Sequence, residues 1–132
     1  MTERTFVMIK PDGVQKGLVD EIASRIERTG LRIAARRRMR LNNELTNRLY
    51  SVHKGKPFFD NLVKFVLSGD VVVMIVEGDR AISVMRELNG ATDPAKAARG
   101  TIRGDYASGV TENIIHASDS PENAKREISI FF

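Results

Sequence analysis

The chain has 132 residues, of which 42% are hydrophobic and 29% are charged, enough apolar side chains for one domain over residues 1–132. It has no cysteine, which excludes disulfide bonds, thiolate metal sites and a cysteine nucleophile, and which favours a cytoplasmic protein. Its 21 basic and 17 acidic residues give a net charge of +4, which favours anionic partners without selecting one class. The first apolar run, residues 6–9, is too short for a signal peptide or a membrane span, so we expect no membrane association.

Two strands and a helix are predicted in the first third of the chain. A short buried strand is predicted over residues 5–10, and the turn signal Pro11-Asp12-Gly13 ends it. Apolar residues at helical spacing predict a helix over 18–29. Residues 31–41 alternate apolar side chains with arginine, which predicts a half-buried strand with a cationic face, although Arg37 breaks the alternation.

Three helices and a central strand are predicted in the middle third. Asn42-Asn43 can cap a helix over 44–53, and a second helix is predicted over 58–67. Six consecutive apolar, mostly β-branched residues at 71–76 are typical of a central strand. A short helix follows over 81–88.

The last third contains a long loop, a strand and a helix. Residues 89–109 have poor periodicity and several arginines, which favours a functional loop. A short strand is predicted over 113–116, and a helix over 120–128 with Pro121 at its tolerated first position. The element order contains βαββαβ, so we predict an α+β, ferredoxin-like sandwich: a four-stranded antiparallel sheet with helices packed on it.

His53 and His116 are the two histidines, and His116 has the setting better suited to chemistry. It lies where a predicted strand meets Ala117-Ser118-Asp119, just before a helix whose N-terminus attracts anions. A neutral imidazole in that place can act as a nucleophile. An isolated strand histidine is more often a hydrogen-bonded core residue, so the position alone leaves both interpretations open.

Several cations and a hydroxyl group are of the types that hold a polyphosphate. Phosphoryl transfer relies mostly on positioning and charge neutralisation, which such groups provide. Taken singly they are also ordinary surface residues, and their spacing does not show that they converge. No glycine-rich phosphate-binding motif is present. The candidates are Lys10, Arg86, Thr92, Arg99 and Arg103.

Two further features suggest binding surfaces. Phe58-Phe59 can both belong to the core, or one ring can provide a stacking surface for a base. The arginines at 36–38 and Arg40 suggest nucleic acid, but their alternation favours a solvated or oligomer-facing strand. The aromatic pattern of RNA-binding ferredoxin-like domains is also missing, so nucleic acid is not expected as the main partner.

The segment Asn113-Ile-Ile-His116-Ala-Ser118-Asp119 closely resembles the N-x-x-H-x-S-D signature of nucleoside diphosphate kinases. Other segments resemble blocks of that family, in the family's order, so the resemblance covers essentially the whole chain. They are Lys10-Pro-Asp-Gly13, Tyr50-x-x-His53, Lys56-Pro-Phe-Phe59, Ser68-Gly69, Glu77-Gly78, Gly90-Ala-Thr92-Asp-Pro94 and Gly100-Thr-Ile-Arg-Gly-Asp105.

The resemblance implies transfer of the γ-phosphate of a nucleoside triphosphate, typically ATP, to a nucleoside diphosphate. The implied mechanism is ping-pong, through a phosphohistidine at His116. Glu127 would orient the imidazole, and Ser118 would support that contact. Mg²⁺ would be carried mainly by the phosphates, aided at most by Asp119. The implied nucleotide-binding residues are Lys10, Tyr50, His53, Arg86, Thr92 and Arg103 at the phosphates, Lys10 and Asn113 near the ribose, and Phe58, Leu62 and Val110 at the base.

The chain departs from the family pattern at four positions. Ala117 replaces a usual glycine after His116, Asp20 replaces a glycine, and Asp70 and Arg99 replace prolines. None is an implied catalytic residue, but the last two could alter subunit contacts. We expect a homo-oligomer, a hexamer rather than a tetramer. A catalytically inactive scaffold is the remaining alternative, and the intact set of implied site residues argues against it.

Overall fold

In the described part of the chain four strands form one antiparallel sheet, which confirms the predicted ferredoxin-like α+β class. The computed structural model describes residues 2–109 and 111–132, the side chain of Val52 excepted. The strands are β1 Thr2–Ile9, β2 Arg32–Arg40, β3 Asp70–Asp79 and β4 Ile115–Ala117. Their order across the sheet, which the sequence left open, is β2-β3-β1-β4.

Helices cover both faces of this sheet. The predicted helices over 18–29, 58–67, 81–88 and 120–128 are present, each with bounds that differ by a few residues at most. No helix among the described residues is long and apolar enough to cross a membrane. The α-helices are α1 Pro11–Gln15, α2 Val19–Arg28, α3 Asn43–Leu49, α4 Phe59–Leu67, α5 Ala81–Asn89, α6 Ile102–Tyr106 and α7 Pro121–Phe131.

Three local predictions differ from the structure, and two of them failed because a five-residue helix carries no readable periodicity. Pro11-Asp12-Gly13 is the start of α1 rather than a turn, with proline at its tolerated first position. The helix predicted over 44–53 ends at Leu49 and continues as a 3₁₀ turn, Ser51–His53. The loop predicted over 89–109 contains α6, where the Thr101 hydroxyl accepts a hydrogen bond from the Gly104 N–H.

The central strands β1 and β3 are buried on both faces of the sheet, which explains the uninterrupted apolar run of β3. On one face Val7 and Ile9 of β1 pack with the buried side of α2 and with Met85 of α5. On the other face Phe6 and Met8 pack with apolar residues of α3, α4 and α7. Alternation along β1 therefore separates two apolar clusters, as a pleated strand requires.

The arginines of β2 lie on an edge strand and each has a partner within the chain. A bulge between Ile33 and Ala35 shifts the pairing register with β3. Exposed ion pairs stabilise a fold little, but these partners neutralise much of the charge on this face. That pairing favours the solvated or oligomer-facing interpretation. The contacts are Arg32 with Glu77, Arg36 with Asp20, Arg38 with Asp70, Arg40 with the Leu67 carbonyl, and Arg37 over the Phe132 ring.

Candidate active site

A cavity of about 460 Å³ opens where β1 ends beside β4. In the antiparallel register Met8 lies opposite His116, so the strand that leads to Lys10 runs beside the strand that holds His116. Side chains from α3, α4, α5, α6 and α7 complete the walls. The lining includes Lys10, Tyr50, His53, Phe58, Leu62, Arg86, Thr92, Arg103, Asn113, His116, Asp119 and Glu127.

His116 is held by a carboxylate from α7. Its Nε2 lies 2.8 Å from Oε1 of Glu127, and the Ser118 hydroxyl donates to that same oxygen at 2.8 Å. Arg126 lies 3.4 Å from the other carboxylate oxygen. Glu127 is buried, whereas the His116 side chain is 20% exposed at the cavity. Because a carboxylate only accepts hydrogen bonds, this contact places the imidazole proton on Nε2 and leaves the lone pair on Nδ1.

One buried cation, Lys10, and one half-buried cation, Arg103, face the same cavity. The Lys10 ammonium donates to Asn113 Oδ1 at 2.8 Å, and burial followed by repulsion from Arg103 lowers the pKa of Lys10 to about 8. Burial and the nearby Arg86 charge likewise lower the pKa of Arg103 to about 10. Lowered pKa values mean that the site disfavours its own positive charges when it is empty. A bound anion would relieve that repulsion.

Arg103 also organises the backbone of the site. Its Nη2 donates to the Ile115 carbonyl at 2.6 Å, its Nη1 to the Gly90 carbonyl at 3.0 Å and its Nε to the Asn113 carbonyl at 3.4 Å. The Asn113 amide donates in turn to the Thr92 carbonyl at 3.2 Å. Arg103 therefore joins the end of α5 to the segment leading into β4.

Aromatic rings form the opposite wall. The Tyr50 ring lies 5.9 Å from the His116 ring and nearly perpendicular to it, and the His53 ring lies 5.3 Å from that of Phe58. The Tyr50 hydroxyl and His53 Nδ1 are buried without a hydrogen-bond partner in the described part of the chain. Burial raises the pKa of Tyr50 and lowers that of His53, so both side chains are held neutral. Unpaired polar atoms in a cavity wall are suited to hydrogen bonds with a ligand.

Comparison with known proteins identifies the family. The family model described as nucleoside diphosphate kinase matches residues 3–132. Nucleoside diphosphate kinases of Ignicoccus hospitalis and Metallosphaera sedula are 61% and 59% identical to this chain, covering 98% and 99% of it and 88% and 94% of the relatives. The solved structure of the Halobacterium salinarum nucleoside diphosphate kinase in complex with CDP has a TM-score of 0.96 and 48% identity, covering 100% of this chain and 88% of that one.

The chain belongs to the nucleoside diphosphate kinase family. As a nucleoside diphosphate kinase it is an enzyme that transfers phosphate between nucleotides.

The structure of this nucleoside diphosphate kinase brings together most of the residues that the sequence singled out. Twelve of them line the cavity, and Ser118 contacts it through Glu127. Val110 lies outside the described residues. Arg99, a candidate from the sequence, is exposed and is not a lining residue, because the loop places it at the surface near Asp105.

Phe58 and Phe59 have different environments. Phe58 is 45% exposed at the cavity, with the Lys56 ammonium 6.0 Å from its ring centre. Phe59 packs against the apolar cluster of α3 and α4. The interpretation of both rings as core residues is therefore wrong for Phe58.

Sequence reasoning missed several lining residues of the cavity, and two of them are asparagines. Asn89 ends α5 and is buried, and its Oδ1 has no partner in the described residues. Asn123 donates to Asp119 Oδ1 at 2.6 Å and fixes that carboxylate at the cavity edge. Asn89 is the first residue of the loop predicted over 89–109 and Asn123 lies in the helix predicted over 120–128, and no local signal marks either.

The two acidic departures from the family pattern share a structural role. Asp20 pairs with Arg36 at 3.3 Å and Asp70 pairs with Arg38 at 3.0 Å, so each lies against an arginine of β2. They add negative charge where this kinase carries its densest positive charge. Neither lines the cavity.

Proposed function

We propose that His116 is the nucleophile of the transfer reaction. Its Nδ1 attacks the γ-phosphorus of a nucleoside triphosphate, forming an N–P bond as the bond to the bridging oxygen breaks and the diphosphate leaves. A terminal phosphate oxygen of a second diphosphate then attacks that phosphorus and restores the imidazole. The observation that carries this proposal is the 2.8 Å contact between His116 Nε2 and Glu127, beside the buried Lys10 and the half-buried Arg103.

Glu127 and Ser118 hold the nucleophile in place. With both carboxylate oxygens engaged, Glu127 cannot rotate away, and the Ser118 bond aims Oε1 at the ring. A fixed imidazole has little to reorganise during transfer, which lowers the barrier. The Glu127 charge would also stabilise positive charge that develops on the ring.

The remaining lining residues would bind the nucleotide. Asn113 and Lys10 would reach the ribose, with Lys10 also at the phosphates. Phe58 would stack on the base, and the buried Leu62 would line the slot beside it; Val110, implied at the same slot, is not described. The CDP complex of the Halobacterium salinarum relative supports a nucleotide in this fold. The phosphate ligands would be Lys10, Tyr50, His53, Arg86, Thr92 and Arg103.

A nucleotide kinase needs a divalent cation, and we propose Mg²⁺ carried mainly by the nucleotide phosphates. Asp119 is the carboxylate at the cavity edge best suited to assist it. A hydrogen bond from Asn123 lowers the pKa of Asp119, so the carboxylate is charged at neutral pH. One carboxylate plus phosphate oxygens and water is a common way for proteins to bind this ion. Bound Mg²⁺ would neutralise charge on the phosphates.

We also propose that the chain is a single domain and acts in the cytoplasm as a homo-oligomer, a hexamer rather than a tetramer. The exposed backbone edge of β2 supports self-association, because an unpaired edge strand readily pairs with another strand. Native mass spectrometry gives the subunit number directly. A monomer would contradict the proposal.

The proposed cycle is tested by mixing the purified protein with γ-labelled ATP and Mg²⁺ in the absence of acceptor. We expect acid-labile, base-stable label on the protein and its transfer to GTP when unlabelled GDP is added. Label that never forms on folded protein would contradict a phosphorylated intermediate. Label that forms without chasing to GDP would show that it lies off the reaction path.

Phe58→Ala should weaken ADP binding, because one stacking contact between an aromatic ring and a base is worth about 1–3 kcal/mol. We expect the dissociation constant, measured by isothermal titration calorimetry, to rise about 5- to 150-fold. Phe58→Tyr keeps a stacking ring and serves as the matched control. Equal affinity of the alanine and native proteins would remove Phe58 from the base site.

Binding of ADP should be coupled to protonation of Lys10. As pH rises through about 8 the free protein loses the Lys10 proton, and a phosphate nearby restores it. At pH 8.5 we expect uptake of up to about 0.7 proton, and weaker binding at higher pH. Calorimetry in buffers of different ionisation enthalpy measures that uptake, which should be lost in Lys10→Met.

Lys10 also makes the folding stability of the ligand-free protein depend on pH. The pKa of Lys10 is 10.5 when unfolded and about 8 when folded, so the unfolded chain binds the extra proton between these values. The Lys10 contribution to folding stability therefore improves from about pH 8 to 10.5. The free energy of unfolding of the native protein, relative to that of Lys10→Met, should therefore rise with pH over this range. A fall with pH would contradict this assignment.

A further inference from the structure

Ile114 has a backbone conformation that its side chain disfavours. Its φ is +75°, in the left-handed region, which a β-branched residue rarely adopts. The side chain is fully buried in the apolar cluster that contains Val7 and Ile9. Such a conformation persists only when its surroundings hold it.

The segment after β1 holds Ile114 in this left-handed conformation. The Ile114 N–H donates to Asp12 Oδ2 at 3.0 Å, and the Ile114 carbonyl accepts from the Lys10 N–H at 2.7 Å. Asp12 is itself buried. Gly13 permits this close approach, because a Cβ there would lie 3.1 Å from Ile114 Cγ2 and 2.7 Å from Ile9 Cγ2. Both polar groups of Ile114 are thus bound by residues about a hundred positions earlier in the chain.

The residues on either side of Ile114 belong to the site. Asn113 binds the Lys10 ammonium, and the carbonyls of Asn113 and Ile115 accept from Arg103. His116 follows on β4. If Ile114 relaxed to a negative φ, the chain direction would change between Asn113 and His116. The imidazole and the Asn113 amide could not then both keep their places.

We propose that Asp12 is a positioning residue for phosphate transfer: its carboxylate holds Ile114 in the left-handed conformation and thereby places Asn113 and His116. The proposal rests on the proposed role of His116. Asp12 does not line the cavity, so it would act through the backbone rather than on the nucleotide.

A competing role is electrostatic. The Asp12 carboxylate lies near the Lys10 ammonium and favours its charged form. Two substitutions separate these roles. Asp12→Asn removes the charge but keeps an oxygen that can accept from Ile114, whereas Asp12→Ala removes both. Glu3→Ala is a matched control, because Glu3 Oε1 accepts from the Ile82 N–H at 2.8 Å, away from the cavity.

The experiment measures three quantities for the native protein and these variants. They are the single-turnover rate of protein labelling at saturating γ-labelled ATP, the affinity for ADP, and hydrogen exchange at the amides of residues 114 and 116. For Asp12→Ala we expect labelling to slow about 100-fold, since small misplacements of reacting groups have effects of that size. ADP affinity should fall far less than the labelling rate, because stacking at Phe58 is untouched even though the Asn113 contact is displaced. Exchange at Ile114 should quicken more than about tenfold.

Asp12→Asn should label within about tenfold of the native rate and keep Ile114 protected. Glu3→Ala should quicken exchange at Ile82 and leave labelling unchanged.

Several outcomes would overturn the proposal. If Asp12→Asn takes up label as slowly as Asp12→Ala, the effect is due to the lost charge. If the alanine protein does not fold, labelling of Asp12→Asn more than about tenfold below the native rate leads to the same conclusion. Native labelling in Asp12→Ala, or unchanged exchange at Ile114, would show that the bond is not needed. If the native protein takes no label, the proposed function fails separately. Amide exchange at Ile114 and His116 then still tests whether Asp12 holds this segment.

Discussion

His116→Ala should abolish labelling of the protein by γ-labelled ATP and reduce NTP–NDP exchange by at least about four orders of magnitude, as expected when a nucleophile is removed. The protein should remain folded. His116 is partly exposed, and Glu127 keeps its bonds to Ser118 and Arg126. Exchange is measured with a coupled assay, and folding by circular dichroism and thermal unfolding. Near-native exchange in the folded variant would exclude the phosphohistidine mechanism.

The composition of the chain makes the controls simple. There are two histidines, so His53→Ala tests the only other candidate for a phosphohistidine. The His53→Ala protein should still take up label, but more slowly, because the neutral His53 ring of the native protein would contact phosphate rather than attack it. Phosphorylated lysine is also acid-labile, and Lys10→Met tests that source. If either control protein lost the label while His116→Ala kept it, the phosphorylated residue would not be His116.

Arg103→Lys should lower kcat about 100- to 1000-fold although it keeps the charge, because removing one aimed donor from a charge-stabilising site has effects of that size. Arg103 uses three of its five N–H groups on the carbonyls of Gly90, Asn113 and Ile115, which leaves two for phosphate. A lysine ammonium cannot reproduce that planar fork. Unfolding stability should also fall by about 2–3 kcal/mol, since buried carbonyls lose their donor.

Steady-state kinetics and urea unfolding measure the two effects of Arg103→Lys. Arg99→Lys is the matched control, because Arg99 lies four residues earlier, is exposed and does not line the cavity. The control should resemble the native protein in both measurements. If the two lysine variants behaved alike, Arg103 would have no special role beyond its charge.

The sequence predicted most of the fold because its signals are local. Six apolar residues at 71–76 indicated a strand buried on both faces, and β3 is such a strand. Helical spacing at 18–29 indicated α2. The α1 and α6 helices were missed because five residues are too few to show a period. The family was recognisable from its motifs, and the comparisons confirm it.

The candidate site was predictable as a set of residues but not as an arrangement. Spacing left open whether His116 was a core histidine and whether the cations converged on it. The structure brings Lys10 within hydrogen-bond distance of Asn113, 103 positions away, and seats His116 against Glu127. Their assigned roles remain predictions that the variants above test.

The sequence by itself determined most of the longer helices and strands, the side chains available for chemistry and the family to which the chain belongs. Only the tertiary structure decided that Arg99 lies outside the cavity, that Arg103 binds three carbonyls and that Asp12 binds the strained Ile114. The physical reason is the distance along the chain between the residues that interact. Periodicity and capping depend on neighbours a few residues apart, whereas the site depends on the register of β1 against β4, which joins opposite ends of the chain.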